Sequence, residues 1–203
     1  MIRRLFYVPF LVRYVTIMES DNMRNEVCMM IIRPEEWIII PDEDGDGLLK
    51  AWVGNGTFGF PIPIATHTVS PEDIALDRDR DFLLCLECAE TPEVCLAEEA
   101  CANDGKHYLM APESVIPAGL FPLSDDPDFV PSPYIIMKGK VTKTYADPTV
   151  LGVDEGDVLF SFSCLGNEYD AILYAELAEG IVIKEGDIVS CAYWVRGWPR
   201  EVE

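Results

Sequence analysis

The chain has 203 residues, 49% of them hydrophobic, which is enough for one large packed core or two small ones. Thirty-six acidic against fifteen basic residues give a formal net charge of −21 and a pI near 4.2. That balance argues against a nucleic-acid ligand, since affinity for a phosphate backbone comes largely from Lys and Arg displacing counterions.

The chain opens on MIRRLFYVPFLVRYVTIM, basic and then apolar like a secretion signal. Pro9 and Arg13 break the run, however, and no small-residue cleavage site follows. It is also shorter than the roughly twenty apolar residues of a membrane helix. The expectation is a buried strand pair, or a strand, bend and strand, with Met18 as an alternative start. EVCMMIIRPEEWIIIP reads as two strands around Arg33-Pro34-Glu35, because Pro34 cannot donate to a ladder and suits only an edge or a bend.

In PDEDGDGLLKAW, Asp42, Asp44, Asp46 and Gly47 match the start of an EF-hand loop. Val53 stands where the loop needs its bidentate Glu, and the flanks are β-like. A metal-free turn between strands is expected, with the three aspartates as weak cation candidates. GNGTFGFPIPIATHTV should form a loop or short edge strands with Phe58, Phe60, Ile62 and Ile64 pointing inward.

Ser70-Pro71-Glu72-Asp73 has the hydroxyl cap, proline and acids of a helix start. DRDRD then leads into FLLCLEC at 82–88, a central strand by its apolar run. Thr91-Pro92-Glu93 predicts a second helix running to Gly105, and Ala111-Pro112-Glu113-Ser114 a third, cut short by Pro117. FPLSDDPDFVPSP, rich in Pro and Asp, reads as a linker.

From Tyr134 the pattern turns to strands. In VLFSFSC, Val158, Phe160, Phe162 and Cys164 alternate with Leu159, Ser161 and Ser163; Leu165-Gly166-Asn167 closes a hairpin, and EYDAILYAEL returns antiparallel. A short helical or irregular connection spans Ala175 to Gly180, and Gly186-Asp187 launches IVSCAYWVRG. This succession, with Gly139 able to bend a long first strand, resembles the oligonucleotide/oligosaccharide-binding (OB) barrel, a five-stranded Greek-key barrel. The fifth strand would be Ile181 to Ile183 or would come from the N-terminal half. The expected fold class is thus α+β and β-rich: an acidic α+β domain over 1–131, then a small antiparallel OB-like barrel or meander over 132–203. The resemblance also implies an aromatic platform at Tyr193, Trp194 and Trp198.

Seven cysteines, at 28, 85, 88, 95, 101, 164 and 191, form no dense framework and point to a reduced, cytoplasmic protein. Cys85 and Cys88, three apart on a strand, face opposite ways, so with Cys95 and Cys101 they read as structural thiols rather than joint metal ligands. His67 and His107 are the two histidines open to a catalytic pair, and neither sits in a nucleophile signature. No cofactor motif is present. The expected function is a non-enzymatic binding or interaction protein that presents an acidic surface to a protein partner. In its sharpest form this is an immunity-type mimic of nucleic-acid charge facing a basic groove. The alternative is a small metal-dependent or hydrolytic enzyme using His67 or His107 with the Cys85/Cys88 group or the Asp42–Asp46 loop.

Overall fold

The computed structural model describes residues 29–40, 46–54, 59–66, 71, 74, 76–96, 112–121, 128–145 and 153–199. Its elements in chain order are β1 (Met29–Ile39), β2 (Gly47–Gly54), β3 (Gly59–Thr66), β4 (Arg80–Cys88), β5 (Glu93–Cys95), β6 (Ser114–Ile116), β7 (Tyr134–Thr144), β8 (Val158–Cys164), β9 (Asn167–Leu173), a single-turn helix α1 (Ala175–Ala178) and β10 (Ile188–Pro199). All ten strands belong to one hydrogen-bonded sheet. No described helix is long and apolar enough to cross a membrane.

The sheet closes on itself twice. In the first ring β1, β2 and β3 form an antiparallel meander, β3 meets β10 in parallel at Ala65 and Arg196, β10 runs antiparallel to β4, and β4 returns to β1. The second ring repeats this order. There β7, β8 and β9 form the meander, β9 meets β4 in parallel at Ala171/Leu86 and Ile172/Glu87, and β4 leads through β10 back to β7. Each ring thus has three consecutive strands and a fourth from its own half, and takes its fifth from the other half. The strand that the C-terminal part lacks is supplied by FLLCLEC, on β4.

One core runs through both rings. Ile32, Leu49, Ala51, Val53, Ile62, Ile64, Phe82 and Leu84 join Leu86, Ile135, Met137, Phe160, Phe162, Tyr169, Tyr193 and Val195 in a single buried cluster. Phe162 stacks on Tyr169 and on Tyr193, with ring centroids 5.7 and 5.6 Å apart. The alternating face of β8 and β9 is buried as well, since Leu159, Ile172 and Tyr174 pack with Cys85 and Val153 beneath Tyr145 and Trp198. Ser161 and Asp170, out of water on that second face, satisfy each other through a 2.6 Å hydrogen bond from Ser161 Oγ to Asp170 Oδ1.

The expected α+β class is overturned, because the described part of the N-terminal half is strand. Thr91-Pro92-Glu93 carries helix-start chemistry, yet Glu93–Cys95 pairs with Ser190, Val189 and Ile188. Val94 thereby packs on the core. Glu113-Ser114 likewise enters β6, which pairs with Ile136, Met137 and Lys138 on the stretch of β7 that precedes its pairing with β8. In both places an open ladder edge and apolar burial outweigh local capping signals, each worth about 1 kcal/mol. The expected break at Pro34 is instead one continuous strand. β1 pairs with β4 only over Met29 to Ile32, and its register to β2 shifts between Pro34 and Glu36, so the proline falls where its missing N–H costs no ladder bond.

The C-terminal strands follow the sequence pattern closely. β8 and β9 form a hairpin around Leu165 and Gly166, with φ of 50° and 79°, the two positive values of a primed turn. α1 occupies the expected connection. The helix start at Ser70 to Asp73, where only Pro71 is described, the segment before Met29, and Cys28, Asp42, Asp44, His67, Cys101 and His107 lie outside the described residues.

Gly139 has a tighter requirement than bending. A Cβ there would collide with the Ser163 carbonyl oxygen and the Phe162 ring, where β7 passes from β10 to β8. Gly139→Ala should therefore destabilise the fold by roughly 1–3 kcal/mol through overpacking. Denaturant titration checks this, with a lowered midpoint expected at unchanged slope.

Candidate functional site

Strand alternation on β10 divides its aromatic residues between two environments. Tyr193, Val195 and Gly197 face the core, and a Cβ on Gly197 would come within 2.7 Å of Ile64 and Leu84. Tyr193 is wholly buried under Phe162, so it is core and offers no face to a ligand. Trp194, Arg196 and Trp198 share the outer face. They do not form one platform, because Trp198 packs over Cys85 and Tyr174 whereas Trp194 stands edge-on to Tyr134 at 5.9 Å.

Between the two tryptophans lies a polar relay that joins the halves of the chain. Arg196 Nε donates to Glu87 Oε1 at 2.8 Å, and Tyr174 Oη donates to the same oxygen at 3.0 Å. Side-chain exposure is 12% for Arg196 and 6% for Glu87, so this is an ion pair largely shielded from solvent. Glu87 and Arg196 hold matching positions, since each is on the borrowed strand where it closes its ring. Burial, followed by the charge of Glu87, pushes the Tyr174 phenol well up and keeps it a neutral donor. Neither Glu87 nor Arg196 carries a motif. What the sequence offered was one acid in FLLCLEC and one base in YWVRGW, lone opposite charges in two otherwise apolar strands.

Arg196 also lines a cleft of about 240 Å³ with Trp194, Ile39, Leu48, Thr66 and Asp46, bounded by Pro131, Ser132 and Pro133. The Pro-rich stretch read as a linker makes this wall. It is tied down by hydrogen bonds from Ser132 N to Gly119 O and from Val195 N to Pro133 O. Thr66 is 2% exposed, and its hydroxyl oxygen, closed to solvent, has no hydrogen-bond partner among the described residues. Asp46, the described member of the acid loop, lines the cleft from the β1 to β2 connection, and the strands flanking that loop are antiparallel.

A second surface surrounds α1. The helix closes one end of the second ring: Leu177, Ala178, Ile181 and Ile183 pack on the core, and Asp157 Oδ1 accepts from Ala175 N at 2.8 Å. Thr91 Oγ1 donates to Leu177 O at 3.5 Å, which draws the start of β5 to the same end. Glu90, Glu93, Asp154, Glu155, Glu176, Glu179 and Glu185 are exposed on α1, on the start of β5 and on the connections around them, with Lys184 among them and Lys138 and Lys140 on the adjoining strand. Around the first ring the charges are interleaved. Asp77, Asp79 and Asp81 alternate with Arg78 and Arg80, Arg33 meets Asp79 at 3.0 Å, and Lys50 meets Glu35 at 3.1 Å. Cys85 and Cys88 lie in different packing clusters on opposite faces of β4, Cys88 beside Cys191 within the core. Cys95 is on β5 rather than on the expected helix.

Two outcomes test these packing relations. Arg196→Met should cost about 3–5 kcal/mol by leaving Glu87 buried and unmatched, and adding Glu87→Leu should recover much of that loss. Paired denaturation curves measure both steps. The second concerns alkali. Burial, then the charge of Glu113, pushes the Cys164 thiol from 9.0 up to about 12, and burial raises the Tyr193 phenol well above 10.0. Groups with raised folded values contribute fully below their unfolded values and lose that contribution as pH climbs toward the folded ones. Stability should thus hold to about pH 9 and decline from there to about pH 12, more shallowly in Cys164→Val. Unfolding midpoints across that range give the slope.

No family model matches this chain and no curated protein matches it, so the geometry alone bears on what these surfaces do.

Proposed function

We propose that the protein is a non-enzymatic binding protein, built as two OB-like barrels that share strands β4 and β10, which engages a basic protein partner through the acidic end around α1. The barrel reading is supported by the strand order of each ring, a meander closed by a parallel contact between its third and fifth strands, and in the second ring by a short helix between the third and fourth. The function rests on one observation, the unequal charge of the two ends among the described residues. Seven exposed carboxylates surround α1 against Lys138, Lys140 and Lys184, while around the first ring Asp77, Asp79 and Asp81 alternate with Arg78 and Arg80, Arg33 pairs with Asp79 and Lys50 pairs with Glu35.

Like charges held on short connections repel, and a complementary cationic surface relieves that repulsion as it docks. Such a patch accelerates encounter and selects against acidic partners, and it repels the phosphate backbone that OB barrels elsewhere bind.

Two variants of equal charge change separate a local patch from overall charge. One carries Glu90→Lys, Glu93→Lys, Glu176→Lys and Glu179→Lys; the other carries Glu36→Lys, Asp77→Lys, Asp79→Lys and Asp81→Lys. The partner is recovered by cross-linked capture from the native cell and titrated as a purified protein. The first variant should bind it at least about tenfold more weakly than the second, with a steep salt dependence in the unaltered protein. Equal weakening by the two sets would sink the proposal, as would a partner with no basic surface.

A further inference from the structure

The ladder along one edge of β10 changes register beside a pair of thiols. Ala89 N donates to Ala192 O at 2.8 Å in continuation of the β4 ladder, and Glu93 opens β5 opposite Ser190. Glu90, Thr91 and Pro92 therefore stand opposite Cys191 alone, as a bulge between the two strands. The register that sets Leu86 opposite Val195 carries Cys88 opposite Tyr193, so Cys88 and Cys191 are diagonal neighbours on the core face. Their sulfurs are in contact. Cys191 Sγ directs its hydrogen to the carbonyl oxygens of Ala192 at 3.1 Å and Glu90 at 3.4 Å, and Cys88 donates to Cys191. Among the described residues no other two thiols share a face of neighbouring strands. Cys85 is on the opposite face of β4, Cys95 stands opposite Ile188 and out of phase with Cys191, and Cys164 is on β8, which borders neither β4 nor β10.

We propose that Cys88 and Cys191 form a reversible disulfide when the protein meets a hydroperoxide, and that this bridge resets the bulge of Glu90, Thr91 and Pro92. The Cys191 sulfur attacks the peroxide, the O–O bond breaks, and Cys191 becomes a sulfenic acid as one water leaves. The Cys88 sulfur then attacks the sulfenic sulfur. The S–S bond forms as the S–O bond breaks, and the hydroxide leaves with the Cys88 proton as a second water, so the two electrons lost by the sulfurs reduce the peroxide. Cys88 is 3% and Cys191 2% exposed, so oxidation needs a local opening. The three-residue strand β5 supplies it, because its release from β10, with the bulge that precedes it, uncovers Cys191. Until then the hydrogen bond to Cys191, and after it burial, push the Cys88 thiol well up and keep it protonated. Diagonal neighbours lie roughly 7–8 Å apart between Cα atoms, against the roughly 4.4–6.8 Å of most disulfides, so the bridge must draw the strands together. The bulge is where the chain can yield without losing a ladder bond. Bridging also takes away the hydrogen that Cys191 gives to Glu90 O, and Thr91, through its bond to Leu177 O, passes the movement to α1.

The test uses the full chain, reduced with dithiothreitol, freed of it and exposed to hydrogen peroxide. After the remaining thiols are alkylated and the chain is digested, mass spectrometry should find the Cys88 and Cys191 peptides joined, and dithiothreitol should restore both thiols. In the oxidised protein the amide resonances of Glu90, Thr91 and Glu93 should shift more than those of the hairpin between β8 and β9. Cys191→Ala should abolish the joined peptides and the shift together. The mapping is made on the unaltered protein, so it decides the matter even if that variant fails to fold. Peptides joined at a different pair of cysteines, or thiols oxidised singly with none joined, overturn the inference. A bridge between Cys88 and Cys191 that leaves the Glu90, Thr91 and Glu93 resonances in place overturns it as well, since the bulge is then not reset. Neither readout involves a partner, so loss of the acidic-end reading leaves the bridge untouched, and loss of the bridge leaves that reading untouched.

Discussion

The ladder between β4 and β10 carries the architecture. Val195 to Pro199 pairs antiparallel with Leu86 to Phe82, and each of these strands then completes the ring of the opposite half. A slip of one residue along this ladder would exchange the faces of one strand while the other kept its own. Either Arg196 would turn into the core and Val195 out of it, or Glu87 would turn in and Leu86 out, and the ion pair would be lost in both cases. Burying one unmatched charge in an apolar cluster and stranding the other is more costly than any gain from an alternative register, so the Glu87–Arg196 pair acts less as a source of stability than as a pin for register. The separation of 109 positions between the two partners shows how non-local that pin is.

Sharing strands has consequences for where ligands can go. Two separate small barrels would each expose an outer face, but here the outer face of β8 and β9 is buried under Tyr145, Val153 and Trp198, and the inner face of both rings is one packed core. Neither location offers room. The acid-rich connections around α1, and the cleft where the Pro131–Pro133 segment leans across β10, lie instead at the ends and seams of the sheet. Paired strands flank both places.

Much of the local structure was legible in order along the chain. The two-residue period of VLFSFSC and EYDAIL specified β8 and β9, and Gly166 specified their turn, because alternation and positive φ are properties of a few neighbouring residues. The short helix before Gly180 and the launch of β10 after Gly186-Asp187 were legible for the same reason. Local rules failed at Thr91-Pro92-Glu93 and at Glu113-Ser114. Capping chemistry there is compatible with a helix start, but the stretches that follow were claimed by the open edges of β10 and β7. Tyr193 and Trp194, read from the resemblance as parts of one platform with Trp198, are separated by the same strand alternation, which turns Tyr193 into the core and Trp194 to the outer face.

By itself the sequence determined a β-rich C-terminal region and a strongly acidic chain, since composition and short-range periodicity are written in adjacent residues; the missing fifth strand was an expectation from the resemblance to an OB barrel. Only the tertiary structure decided that FLLCLEC supplies that strand, that β10 returns the favour to the first ring, that Glu87 meets Arg196, and that the Pro-rich stretch walls a cleft. Each of those is a pairing between segments tens of residues apart. Its free energy depends on burial and hydrogen bonds made by both partners together, and neither segment encodes it alone.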